Sequence, residues 1–142
     1  MKKSLIIGII LCLTSIIYQA HAQEVKHLTT EEFKKEIWDY KANKEWKYQG
    51  NKPAIVDLYA TWCPPCQKLS PILEQIQKGY GKKIRIYKVD VDKSRELAQV
   101  FNANSIPMMI FIPTNGKPFT VVGFRSQEQL EQIISEKLNL KK

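Results

Sequence analysis

Two cysteines separated by two prolines, Cys63-Pro-Pro-Cys66, are the residues of this chain whose types and spacing can do chemistry. They stand where an apolar run, residues 55–59, meets a segment with helical spacing. If both lie in the first turn of a helix, their side chains share one face and can close a small disulfide ring. So small a ring restricts the unfolded chain little, which makes the pair a poor staple and points to redox chemistry. A structural zinc wants four ligands, and beyond the N-terminal segment the sequence offers only these cysteines and a distant His27. Gln67, not a histidine, follows Cys66, so covalent c-type haem attachment is not signalled.

Whether a disulfide can persist depends on compartment. Lys2 and Lys3 precede an uncharged run over residues 5–17, and Tyr18-Gln-Ala-His-Ala22 ends in a small-x-small pattern. Residues 1–22 therefore read as a secretory signal peptide and residues 23–142 as one exported, periplasmic domain. The alternative is an uncleaved segment holding the chain to the membrane, for which the run is short. Cys12 lies inside that run and reads as an apolar residue of the signal. At 142 residues the chain has room for a single core without staples. Its formal net charge is +8, but lysines such as Lys34, Lys41, Lys82 and Lys141 are scattered among acids. No aromatic-basic signature accompanies them, so they read as a solvated face and not as a nucleic-acid surface.

The pair needs a scaffold, and hydrophobic spacing supplies one. Residues 53–60 are apolar on both alternating faces except for Asp57, the pattern of a central parallel strand with a buried carboxyl. After the cysteines, Leu69, Ile72, Leu73 and Ile76 predict a helix reaching Gly79 and Gly81, with a kink at Pro71, which lacks the amide for the Gln67 carbonyl. Upstream, residues 25–28 read as a short strand. Thr29-Thr-Glu-Glu32 has the spacing of a capping box, opening a helix with Phe33, Ile37, Trp38 and Tyr40 on its apolar face. Residues 43–52 read as a loop. Downstream, residues 84–91 and 106–112 read as strands, with Ser94 capping a helix through Leu97, Val100 and Phe101. Pro113-Thr-Asn-Gly116 then turns into Phe119-Thr-Val-Val122, predicting an antiparallel hairpin. Ser126-Gln-Glu-Gln129 is a second capping-box spacing before a closing helix with Leu130, Ile133, Ile134 and Leu138. The alternation predicts an α/β fold with a mixed central sheet and helices on both faces.

In this order the motifs resemble those of the thioredoxin family, over nearly all of residues 25–140. The resemblance rests on Asp57, Trp62-Cys-Pro-Pro-Cys66, Pro71, Lys88 in the next strand, Ser105-Ile-Pro107, and glycines at Asn115-Gly116 and Val122-Gly123. It implies a thioredoxin fold and a thiol-disulfide oxidoreductase whose redox group is its own Cys63–Cys66 disulfide, with no cofactor and no metal. Cys63 would be the exposed nucleophile, favoured as a thiolate at a helix N-terminus. Cys66 would be the buried resolving thiol, with Asp57 as catalytic proton acceptor and Lys88 in support. Pro107 would be the family's cis-proline, and Trp62, Pro64, Pro65, Ile106, Pro107 and Gly123 would line the substrate groove.

The expected direction is reduction of disulfides in exported proteins. Electrons would come from an upstream donor, a membrane thiol reductase being one kind, and the chain would act as a monomer. A disulfide-forming oxidase or isomerase is the alternative within the class, and a substrate-binding or chaperone module without turnover the alternative outside it. Two departures stand out: Pro64 where typical thioredoxins carry Gly, and Met108 where they usually carry Thr. Pro64 removes an amide near Cys63 and stiffens the turn.

Overall fold

The computed structural model describes residues 24–142. The segment read as a signal peptide, residues 1–22, lies outside the described residues. Five strands form one sheet in the order β1-β3-β2-β4-β5. They are β1 (Lys26–His27), β2 (Ala54–Tyr59), β3 (Arg85–Asp90), β4 (Met108–Ile112) and β5 (Phe119–Val122). Strands β1, β3 and β2 run parallel, β4 pairs antiparallel with β2, and β5 pairs antiparallel with β4. The sheet is therefore mixed, as the change of rhythm at residue 113 predicts.

Four helices cover it: α1 (Thr30–Glu36), α2 (Pro64–Tyr80), α3 (Arg95–Val100) and α4 (Gln127–Leu138). A two-residue period sorts the strand side chains between two cores. On one face Val56, Leu58, Val89 and Ile110 pack with Phe33 and Ile37 after α1, and with Leu97 of α3. On the other, Ile55, Ile86, Met109 and Phe111 meet Leu69, Leu73 and Ile76 of α2 and Leu130 and Ile134 of α4. Asp57 shares the parity of Ile55, so its carboxyl faces α2 from the middle of the sheet, flanked in register by Lys88 and Met109.

Both predicted capping boxes form, at Thr29 with Glu32 and at Ser126 with Gln129. Several boundaries differ from expectation. Helix α1 stops at Glu36, and Ile37 caps it. Trp38 and Tyr40 leave the helix, and Trp38 packs against Tyr40, Trp46 and Phe101 in an aromatic cluster gathered from distant parts of the chain. Helix α3 is short; Ser94 precedes it without a side-chain cap bond, and Val100 is exposed. Strand β4 begins at Met108 and not Ile106, since Pro107 has no amide to give the ladder. Helix α2, by contrast, runs through Pro71 to Tyr80, the reach its spacing predicts. Among the described residues no helix is long and apolar enough to cross a membrane.

Candidate active site

The middle strand β2 ends at Tyr59, and after four intervening residues α2 begins at Pro64. Cys63 is the N-cap of that helix, with extended backbone, and Pro64 and Pro65 occupy its first two positions. A helix start leaves four amides unpaired, but prolines have none. The amide of Cys66 is the first available, and it donates to Cys63 Sγ at 3.3 Å; the next, from Gln67, donates to the Cys63 carbonyl at 3.1 Å. One backbone donor therefore serves the sulfur. Cys63 and Cys66 are joined as a disulfide.

The expected contrast in exposure between the two cysteines is absent here. Cys63 is 3% exposed and Cys66 1%. Cys63 lies in a cluster with Ala60 and Cys66 against which Tyr59, Val91 and Ile106 pack. Trp62 carries the exposure instead, at 66%. Its indole donates to Asp92 Oδ2 at 2.8 Å, which fixes the ring beside the pair.

The peptide between Ile106 and Pro107 is cis, and the Ile106 carbonyl lies 3.9 Å from Cys63 Sγ. The Pro107 carbonyl accepts the amide of Gly123 at 2.8 Å. Gly123 has φ +87°, a region that disfavours any side chain, whereas the space beside it is open enough for a Cβ. The structure thus sets Ile106 against Cys63 and ties Gly123 to the neighbouring Pro107. Val122 and Phe124, both exposed, extend this rim with apolar surface.

On the side of the sheet that α2 covers, Asp57 has no exposure and neither carboxyl oxygen has a hydrogen-bond partner. Desolvation pushes its pKa up to about 7, with Lys88 opposing the rise. Lys88 Nζ is 3.9 Å from Asp57 Oδ2, near enough to attract but too far to hydrogen-bond. Lys88 is buried and not the surface lysine that its type alone would suggest. Its ammonium donates to Ser70 Oγ at 2.7 Å and lies 4.4 Å from the centre of the Tyr59 ring. Tyr59 OH in turn meets His27 Nδ1 at 3.2 Å. A cleft of about 390 Å³ reaches Tyr59 and Lys88 from the β1 side and includes neither cysteine. Among the described residues no three acidic, histidine or cysteine side chains are grouped to hold a metal.

Three site residues were not singled out by the sequence. Ser70 is one turn beyond Cys66 on the same helix face, and Tyr59 is two residues beyond Asp57 on the same strand face, so both had a spacing signal. Asp92 had none, because its contact with Trp62 joins two loops far apart in sequence.

Comparison with known proteins agrees with this geometry. The family model described as Thioredoxin matches residues 24–136. Thioredoxin of Borreliella burgdorferi is 45% identical over 109 residues, covering 77% of this chain and 93% of that protein. Thioredoxin of Alicyclobacillus acidocaldarius is 35% identical over 98 residues, covering 68% and 92%. Among solved structures, Malassezia sympodialis thioredoxin superposes with TM-score 0.64 at 29% identity, over 81% of this chain and 92% of that one. Chloroplastic thioredoxin z gives TM-score 0.68 over 80% and 93%, at an identity of 24% that speaks for the fold alone. The chain belongs to the thioredoxin family of disulfide oxidoreductases.

Proposed function

We propose that this protein is a periplasmic reductase of disulfides in exported proteins, with Cys63 attacking and Cys66 resolving. The observation that carries the reading is the Cys63–Cys66 disulfide at the start of α2 together with the buried, unpaired Asp57 carboxyl on the strand that leads into it. In the reduced protein the Cys63 thiolate attacks a substrate disulfide, that S–S bond breaks, and one substrate sulfur leaves as a thiolate. Cys66 then gives its proton to Asp57 and attacks Cys63 Sγ. The mixed disulfide breaks, the Cys63–Cys66 bond closes, and the second substrate thiol departs with two electrons gained in all.

Asp57 suits that task because a carboxyl titrating near 7 both takes and returns a proton at neutral pH. Lys88 supports the carboxylate at a distance. Trp62, Pro64, Pro65, Ile106, Pro107 and Gly123 form the surface on which a partner's strand is laid, with the Ile106 and Pro107 backbone supplying its main-chain contacts. The redox group is the protein's own disulfide, and a membrane thiol reductase or similar donor restores the dithiol. The basic, apolar and small-x-small series in residues 1–22 supports export.

Reduction of insulin by wild type and Cys63→Ser, with the equilibrium potential against glutathione, tests the reading. The expected outcome is turnover lost in the variant and a potential below the glutathione couple. A potential well above it makes the protein an oxidase, and equal behaviour of the two proteins leaves a binding module. The N-terminal sequence of protein recovered from the cell envelope tests export, with Gln23 expected first.

A further inference from the structure

Asp57 must stay buried, close to a cation and yet unpaired, and the cysteine motif does not explain how. Lys88 has only 5% exposure, and a buried ammonium seeks acceptors for its three N–H groups. The strongest acceptor in reach is the Asp57 carboxylate, but the ammonium stands 3.9 Å from it and 2.7 Å from the neutral Ser70 hydroxyl. Ser70 is therefore what draws the lysine aside. It is placed to do so because α2 sets positions 66 and 70 one turn apart on a single face, over the Asp57 side of the sheet.

We propose that Ser70 is a positioning residue for proton handling: by holding the Lys88 ammonium it keeps the lysine near the Asp57 carboxylate without a hydrogen bond between them. The inference rests on the reductase reading for its purpose, though not for its geometry. A direct, charge-assisted bond would favour the carboxylate and take its titration below the neutral range. The titratable and charged groups around this pair are few. They are Tyr59 on β2, His27 on β1 opposite Lys88 in register, Asp90 on β3, and Glu31 of α1 and Lys93 before α3, which line the same cleft as Lys88; α2 contributes the disulfide, which does not titrate, and β4 contributes Met109 across from Asp57.

The test follows the Asp57 carboxyl carbon by NMR in the oxidised protein across pH. Ser70→Ala removes the acceptor, Lys88 closes on Asp57, and the midpoint falls by about one pH unit. Ser70→Thr restores a hydroxyl and with it the wild-type midpoint. In a Lys88→Met background, Ser70→Ala leaves the midpoint where Lys88→Met alone puts it. Alanine is the better helix former, so the variant keeps α2. A Ser70→Ala midpoint equal to or above wild type overturns the proposal, as does a shift that persists without Lys88. Because this readout needs no turnover, it decides the role of Ser70 even if the protein fails to reduce insulin, a failure that would sink the reductase reading alone.

Discussion

Along helix α2 the protein treats two buried polar side chains, one of the helix and one of the sheet beneath it, in opposite ways. In its last turns Gln77, with no exposure, donates to the carbonyls of Gly81 and Ile84 at 2.9 and 3.1 Å and accepts the amide of Ile86 at 2.8 Å. Beneath its first turns Asp57, equally buried, has no hydrogen bond at all. A buried polar group without partners costs the fold free energy, and one with all its partners ties segments together. Gln77 joins the end of α2 to the start of β3 and is structural. Asp57 is kept at a cost to stability, which fits a group whose task is to exchange a proton.

Replacing Asp57 should produce the largest effect. A carboxyl held at about 7 in place of 3.8 binds its proton more tightly in the folded than in the unfolded chain. Its contribution to stability is then fully present below pH 4 and lost as pH rises through 7. At ~1.4 kcal/mol per pH unit the loss is about 4 kcal/mol. Asp57→Asn is expected to remove that part of the pH dependence and to be the more stable protein at pH 8, by up to about 4 kcal/mol in urea unfolding. Its insulin reduction should fall roughly a hundredfold, at the low end for loss of a general base, as Cys66 loses its proton acceptor. A variant no more stable than wild type at pH 8 would mean that Asp57 is satisfied in solution and that the contrast with Gln77 is false.

Gln77→Ala is the reverse case. It strands one amide and two carbonyls in the interior, and unfolding in urea should show a loss of about 3 kcal/mol. The protein that remains folded should reduce insulin at the wild-type rate. A matching loss of turnover would show that the far end of α2 also governs the cysteine end.

The contrast also marks what could be read from the sequence. Asp57 announces itself as the one charge in a strand apolar on both faces, and its burial follows from that pattern. The hairpin at Asn115-Gly116 and the two capping boxes are likewise local, written within a few neighbouring residues. Gln77 carries no such mark: a glutamine among helical apolar positions looks solvent-facing, and only the packing of α2 on β3 buries it. Ser70 and Asp92 work across similar tertiary contacts. Trp38 and Tyr40 mislead in the opposite sense, because their spacing continues the period of α1 although the chain has already left the helix to meet Trp46. Cys63 is the N-cap of α2, a position that suggests exposure, yet in the disulfide-bonded protein it packs in the cluster with Ala60 and Cys66.

The smallest effect belongs to Pro64, and the geometry shows why. An N-cap side chain accepts from the amide at the second or third helical position, which here are Pro65 and Cys66, and the bond to Cys63 Sγ comes from Cys66. Pro64 is at the first position, whose amide points along the helix axis and not at the N-cap side chain. Pro64→Gly therefore restores partial positive charge at the helix start without adding a hydrogen bond to the sulfur. Such a dipole contribution is about 0.3–1 kcal/mol in favour of the Cys63 thiolate, and at 30 mV per 1.4 kcal/mol it stabilises the dithiol by about 10 mV. Equilibration with glutathione should find the variant less negative by that amount. Pro65→Gly, which supplies the second-position amide, should move the potential further in the same direction. If Pro64→Gly gives the larger shift of the two, amide supply to the sulfur is not what this dipeptide controls, and its rigidity takes that place.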